Sequence, residues 1–233
     1  MNVKKHIPNT ITCCNLLSGC VAAVFAYERA YLVALACIIT GAVFDFFDGL
    51  SARALKVSSP IGKELDSLAD VITFGLAPAM MVYSWLCECA DAHLDMLIAF
   101  AMPFVAFLLA AFSALRLAKF NVDERQTSSF VGLPTPANAL FWGALVIGSH
   151  DAIVEQPYGW VLVLGLVLLF SWLLVAEIPM FSLKFKNLSW ESNRIVYIFL
   201  LVSLVLLVVL GLNGLSAVIG WYIILSVLTQ KRA

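Results

Sequence analysis

The chain has little charge. Asp, Glu, Lys and Arg together make up 12% of its 233 residues, which is about half of the share in a typical soluble domain. At the same time 62% of the residues are hydrophobic. These proportions exclude an ordinary soluble globular domain and indicate a polytopic membrane protein.

The chain also lacks an excess of one charge sign and a metal-binding pattern of Cys and His. With 14 basic and 15 acidic residues its formal net charge is −1, and it has no basic tail or patch of the kind that nucleic-acid binding requires. Its six cysteines lie in or beside apolar runs, and their spacing fits neither a disulfide framework nor a zinc site. The three histidines are scattered. We therefore expect the chemistry to depend on other side chains.

What the chain has instead is a series of apolar segments, each of a length that can cross a bilayer as a helix. They predict an all-α, polytopic bundle of about eight transmembrane helices that forms one domain over residues 1–233. The segments run approximately over residues 11–27, 30–50, 65–87, 95–116, 136–154, 159–178, 195–211 and 214–229. The Gly-Leu-Asn-Gly stretch between the last two predicts a tight hairpin, with a re-entrant pair as the alternative.

The basic residues predict the orientation. If the N-terminus is cytoplasmic, all the basic residues except Arg29 fall on the cytoplasmic side, as the positive-inside rule requires. We therefore expect a protein of the cell membrane whose N- and C-termini lie on the cytoplasmic side.

Four aspartates interrupt the apolar sequence between residues 41 and 79. Asp45 and Asp48 (i, i+3) share one face of a predicted helix, and Asp66 and Asp70 (i, i+4) share a face of the next, so the two pairs can converge. Each carboxylate at membrane depth costs about 2.5 to 3.5 kcal/mol. Hard divalent cations, which prefer oxygen ligands, would offset this cost. The alternative is a buried acidic cluster paired with the basic residues of the intervening loop: Arg53, Lys56 and Lys63.

The aspartates belong to the string D-x2-D-G-x2-A-R-x8-G-x3-D-x3-D, which begins at Asp45 and ends at Asp70. With every fixed position filled, this stretch resembles the signature of the CDP-alcohol phosphotransferase family. The resemblance implies a divalent metal cofactor, Mg²⁺ or Mn²⁺, with two ions bound. It implies that Asp45, Asp48, Asp66 and Asp70 form the metal shell and that Asp70 also acts as general base on the acceptor hydroxyl.

The same resemblance implies a pocket for the CDP moiety, lined by Thr12, Gly49, Ala52, Arg53 and Gly62. A glycine at position 49 would let a nucleotide approach the helix backbone, and the planar guanidinium of Arg53 suits a diphosphate. Thr12 closes a P-N-x-x-T stretch of the kind that the family has near the diphosphate, and capping of the first helix is an equal alternative. For Gly49 and Gly62 the alternative is that they only break the helices around the loop.

A second stretch, from Arg116 to Pro136, reads RLAKFN followed by F-x-GLP-x-P. Within the family it looks like the phosphatidylserine synthase branch, which implies that Arg116 binds the carboxylate of an amino acid acceptor and that Asn121 orients it. An ordinary basic flank with a rigid turn is the alternative.

The resemblance thus implies an enzyme of phospholipid biosynthesis that transfers the phosphatidyl group of CDP-diacylglycerol to L-serine and releases CMP, acting as a homodimer with its site facing the cytoplasm. Two alternatives stay open from the sequence. The acceptor could be glycerol 3-phosphate, inositol phosphate or another alcohol, or the paired acids could belong to a cation-coupled transporter.

Overall fold

The computed structural model describes residues 6–57, 59–122, 130–181 and 190–229, and these residues form eight helices. Their bounds are α1 His6–Tyr27, α2 Tyr31–Leu55, α3 Pro60–His93, α4 Met96–Val122, α5 Thr135–Val154, α6 Gly159–Val175, α7 Trp190–Leu210 and α8 Asn213–Leu228. The predicted all-α bundle is confirmed. Several basic residues used for the orientation, among them Lys4, Arg125 and Lys184, lie outside the described residues.

Among the described residues, six helices are long and apolar enough to cross a membrane: α1 to α5, and α7 over Asn193–Leu210. The other two, α6 and α8, are apolar but shorter. Each of the eight predicted segments therefore coincides with a helix, whereas the number of membrane crossings and the side on which the termini lie stay predictions. The hairpin between α7 and α8 is present, with Gly211 at φ 57°.

Helices α2, α3 and α4 extend beyond the apolar segments that predicted them. Hydropathy marks only the apolar length of a helix, while its ends depend on capping. Helix α2 ends where Lys56 adopts a left-handed conformation (φ 51°). Helix α3 begins at Pro60 because the Ser59 Oγ accepts a hydrogen bond from the Gly62 amide at 3.0 Å. The turn between α2 and α3 is thus short, and it brings the two aspartate pairs to the same end of the bundle.

Helix α3 changes its winding directly after Asp70. Residues Val71–Leu76 form a π-helical turn, and regular α-helix resumes at Ala77. Such turns are rare and are frequently found at functional sites. The turn packs against α1, α4 and α5, so it lies inside the bundle and not on its surface.

A short antiparallel pair, β1 (Phe130–Val131) with β2 (Pro179–Met180), joins the segment before α5 to the segment after α6. The Gly132 amide donates to the Ile178 carbonyl at 2.9 Å. Gly132 has φ 78°, and a Cβ there would lie 2.7 Å from the Leu174 carbonyl oxygen. The predicted Gly-Leu-Pro turn is therefore fixed against the end of α6.

The end of the bundle away from the aspartates has its own polar cluster, centred on Glu88 of α3. The Tyr31 hydroxyl donates to Glu88 Oε1 at 2.7 Å. Arg29 Nε lies 3.7 Å from the same oxygen, and His150 Nε2 lies 3.3 Å from Glu88 Oε2. This cluster ties α2, α3 and α5 together at that end.

Candidate active site

Three of the four aspartates meet where α2 and α3 approach each other. Asp45, Asp48 and Asp66 each present an oxygen, and these oxygens all lie within 4.8 Å of one another. Among the described residues, the only ion pairs involve Glu88 or His150 at the other end of the bundle. No described Lys, Arg or His therefore neutralises the three carboxylates by direct pairing, which argues against the acidic cluster paired with loop cations.

The donor set fits a divalent cation. All three groups supply hard oxygen ligands, which Mg²⁺, Mn²⁺ and Ca²⁺ prefer. Asp66 Oδ1 is buried and has no hydrogen-bond partner, and a buried oxygen left unpaired in this way is costly unless something binds it. The three aspartates can thus hold a metal ion, and an ion there would supply the missing partner.

Asp70 lies next to this group but is not part of it. It is 9% exposed and close enough to Asp45 and Asp66 for their charges to repel. Its Oδ1 accepts a hydrogen bond at 3.1 Å from the amide Nδ2 of Asn15, on α1. The sequence assigned Asp70 both to the metal shell and to proton transfer, and its place outside the close group suits the second role better.

A cleft of about 260 Å³ opens beside the carboxylates, between the start of α1 and the α2–α3 turn. Four of the five residues that the sequence assigned to a CDP pocket line it: Thr12, Gly49, Ala52 and Gly62. The fifth, Arg53, is exposed and is not among the lining residues. Asp48 and Asp66 also border the cleft, so a ligand in it would be adjacent to the carboxylate oxygens.

The two glycines of the cleft differ in their surroundings. A Cβ on Gly49 would meet no protein atom within 4 Å, so its missing side chain adds open space to the cleft. A Cβ on Gly62 would lie 3.0 Å from Ser59 Oγ and 3.1 Å from Asn9 Oδ1. Gly62 therefore has a packing reason to be small, and Gly49 has none within the protein.

Thr12 has two neighbours of its own. Its Oγ1 lies 2.6 Å from Asp48 Oδ2 and 3.0 Å from the Pro8 carbonyl oxygen, and it is 3% exposed. The sequence interpreted Thr12 as a contact to the diphosphate or as a helix cap. The structure adds a bond to one of the three clustered carboxylates.

The two residues assigned to the acceptor lie on α4 but differ in environment. Arg116 is 8% exposed, and its Nε is buried without a hydrogen-bond partner. Its charge is near Asp70 and near the Tyr222 hydroxyl of α8. Asn121, in contrast, uses its Nδ2 to donate to Ser67 Oγ at 2.7 Å. Arg116 is thus free to bind a ligand, whereas the amide nitrogen of Asn121 already joins α4 to α3.

Sequence reasoning missed several residues at this end of the bundle. Asn9, Ser59 and Lys63 also line the cleft, and only Asn9 carried a signal, as part of the P-N-x-x-T stretch. Asn15 is a polar residue within the apolar run of α1, and the ordinary interpretation of such a residue is a hydrogen bond between helices. Its contact with Asp70 could not be predicted, because 55 residues separate the two along the chain.

The fold and the site together define a helical membrane protein whose clustered carboxylates can hold a metal ion beside a cleft. The model of the CDP-alcohol phosphatidyltransferase family matches residues 5–176. The chain belongs to this family, and the predicted family resemblance is confirmed.

Curated relatives cover most of the chain. It is 30% identical over 223 residues to the CDP-diacylglycerol–serine O-phosphatidyltransferase of Helicobacter pylori, an alignment that covers 95% of this chain and 89% of that protein. The enzyme of the same name from Mycobacterium tuberculosis is 32% identical over 234 residues, with 95% and 73% covered. The one from Bacillus subtilis is 36% identical over 136 residues, with 57% and 70% covered.

Proposed function

We propose that this chain transfers the phosphatidyl group of CDP-diacylglycerol to L-serine, forming phosphatidylserine and CMP. The relatives named for this reaction align with nearly the whole chain. The structural observation that carries the proposal is the juxtaposition of three groups at one end of the bundle. These are the carboxylate cluster, the cleft beside it, and the buried pair of Asp70 and Arg116.

The cleft suits the CDP moiety of the donor lipid. It is bordered by Asp48 and Asp66 and by the open backbone at Gly49, so a diphosphate there would be near the clustered oxygens. A divalent cation held by Asp45, Asp48 and Asp66, or a pair of such ions, would supply positive charge to the phosphate oxygens and to the leaving CMP. The exposed Arg53 lies one residue beyond the cleft wall at Ala52, where its guanidinium can bind the outer face of the diphosphate.

The buried pair of Asp70 and Arg116 suits the acceptor. No N–O contact joins the two side chains among the described ion pairs, although their charges interact. Serine bound between them would place its carboxylate on the Arg116 guanidinium and its hydroxyl towards Asp70. Arg binds carboxylates well because its donors form a planar fork.

In the proposed reaction one bond to phosphorus forms and one breaks. The serine oxygen forms a bond to the phosphorus that carries the diacylglycerol, and the bond from this phosphorus to the bridging oxygen breaks. The hydroxyl proton passes to Asp70, and the electron pair of the broken bond leaves with CMP. The acyl chains of the lipid would stay in the bilayer throughout, since the site lies at the end of helices that are long and apolar enough to cross a membrane.

Location and assembly belong to the same proposal. The aspartates share their end of the bundle with Arg53, Lys56, Lys63 and Lys119, and the positive-inside rule assigns such an end to the cytoplasm. We therefore propose that the site opens to the cytoplasmic face of the cell membrane, where serine is available. Association as a homodimer, which the family resemblance implies, stays a prediction.

The test is CMP release by the purified protein in mixed micelles of detergent and CDP-diacylglycerol. Mn²⁺ or Mg²⁺ is added together with one alcohol at a time: serine, glycerol 3-phosphate, inositol phosphate or water alone. We expect CMP and phosphatidylserine in equal amounts with serine, and no more than background with the others. Preference for a phosphorylated alcohol would overturn serine as the acceptor but keep the chemistry. Absence of CMP with every alcohol would overturn the proposed function.

A further inference from the structure

Asn15 lies deep in helix α1 and is 0% exposed. Its Nδ2 donates to Asp70 Oδ1 at 3.1 Å. A carboxylate can only accept hydrogen bonds, so the amide nitrogen and not the amide oxygen must face it. The bond links helix α1 to the one aspartate that lies beside the metal-binding group and not within it.

The backbone of Asn15 is held from the same direction. The Thr73 hydroxyl, in the π-helical turn that follows Asp70, donates to the Asn15 carbonyl oxygen at 3.0 Å. Thr73 itself fits between two glycines, because a Cβ on Gly19 or on Gly41 would overlap its atoms. Asn15 is therefore bonded to this part of α3 twice, once by its amide to the Asp70 carboxylate and once by its carbonyl to the turn that follows Asp70.

A role in stability alone does not account for Asn15. Its Oδ1 is buried and has no hydrogen-bond partner, and an unsatisfied buried oxygen is unfavourable. A leucine of similar size would fill the site between helices without that cost. The amide therefore joins the two helices at a cost in free energy that leucine would avoid. What leucine could not provide is the hydrogen-bond donor that the amide directs at Asp70.

We propose that Asn15 is a positioning residue for Asp70. It fixes the side-chain rotamer so that the free carboxylate oxygen, Oδ2, faces the acceptor, and the Thr73 turn fixes Asn15 in its place. The inference rests on the proposed function, because it concerns the proton acceptor of that reaction. It adds a residue of α1 to the acceptor side of the site, whose other groups, Asp70 and Arg116, come from α3 and α4.

The test compares Asn15→Leu, which keeps the packing and removes the donor, with Ser18→Ala. Ser18 is one turn further along α1, and its Oγ donates to the Cys37 carbonyl oxygen at 2.8 Å, so its loss removes a helix-to-helix bond remote from the aspartates. For Asn15→Leu we expect kcat to fall by up to about 100-fold, the loss that a misplacement of about 1 Å at a reacting group can cause, with an unchanged KM for CDP-diacylglycerol. Ser18→Ala should keep the wild-type kcat.

Two further measurements separate positioning from a structural role. Mn²⁺ binding, followed by electron paramagnetic resonance without substrate, should be the same for Asn15→Leu and wild type, because Asp45, Asp48 and Asp66 are intact. Thr73→Val removes the hydroxyl and should lower kcat in the same direction, while Thr73→Ser keeps it and should restore most of the activity.

Several results would overturn the inference. They are a wild-type kcat for Asn15→Leu, a loss of Mn²⁺ affinity as large as its loss of kcat, or equal effects of Asn15→Leu and Ser18→Ala. If the wild type turns over and only these comparisons fail, Asn15 is a packing residue and the proposed function stands. If the wild type releases no CMP with any alcohol, both fall together.

Discussion

The close approach of α1 to the π-helical turn gives a sharp prediction for Gly19→Ala. A Cβ on Gly19 would lie 2.7 Å from the Thr73 Cα and 2.9 Å from the Thr73 amide nitrogen. Non-bonded carbon atoms prefer about 3.5 to 4.0 Å. Both contacts are to backbone atoms, so no rotamer change relieves them, and one of the two elements must move by about 1 Å.

The magnitude follows from two contributions. Overpacking by one methyl group in a well-packed interior costs about 1 to 3 kcal/mol. A shift of this size would also weaken the bond from Thr73 to the Asn15 carbonyl, which is worth about 1 kcal/mol. The sum, roughly 2 to 4 kcal/mol, corresponds to a fall in Tm of roughly 5 to 15 °C for a chain of this length. Because Thr73 follows Asp70 by three residues, the surviving protein should also lose activity.

The matched control is Gly165→Ala in α6, where a Cβ would meet no atom within 4 Å. Alanine in an open helical position is about 0.5 to 1 kcal/mol more favourable than glycine, so its Tm should stay at or slightly above that of the wild type. Both variants are heated in the same detergent, and the folded fraction is read from the monodisperse peak on size exclusion. A Gly19→Ala protein with wild-type Tm and wild-type CMP release would refute the reasoning.

Four other outcomes are expected. Asp70→Asn should lower CMP release at least about 100-fold, the usual contribution of a general base, while CDP-diacylglycerol still binds; normal turnover would exclude Asp70 as the base. Chelation of divalent ions should abolish activity, and Mg²⁺ or Mn²⁺ should restore it, because the described residues offer the clustered carboxylates no cation. Arg116→Ala should raise KM for serine roughly 10- to 100-fold, as for loss of a hydrogen bond to a charged group, more than KM for CDP-diacylglycerol; the opposite order would assign Arg116 to the nucleotide. Gly49→Ala should keep Tm at or slightly above that of the wild type and raise KM for CDP-diacylglycerol, and an unchanged KM would remove Gly49 from the pocket.

Much of this arrangement could be predicted from the sequence, because local spacing determines it. The i, i+3 and i, i+4 intervals place the aspartates on single helix faces, and the short loop between α2 and α3 forces those faces to the same end. Three of the four carboxylates do lie together. The apolar segments likewise predict eight helices, since the membrane leaves no other way to pair their backbone groups.

The remaining features depend on contacts between distant residues, for which the sequence has no local signal. Asn15 and Thr73 are both polar residues within apolar runs, and only the packing of α1 on α3 brings them into contact beside Asp70. The π-helical turn has no characteristic composition. Arg53 was assigned by its place in the motif, but the packing leaves it exposed outside the cleft wall.

The carboxylates at the two ends of the bundle differ in the partners that the surrounding residues provide. Glu88 accepts a hydrogen bond from a tyrosine hydroxyl at 2.7 Å and has nitrogens of an arginine and a histidine within 4 Å, so each of its oxygens lies beside a donor or basic group of the protein. At the other end Asp66 keeps a buried oxygen without a partner, although Lys63 lies on the same helix one turn before it. The Lys63 Nζ donates instead to the Asn121 carbonyl oxygen at 2.9 Å. The fold thus surrounds Glu88 with its own side chains but directs Lys63 away from Asp66. The oxygens of the aspartate cluster therefore stay available for a ligand of positive charge.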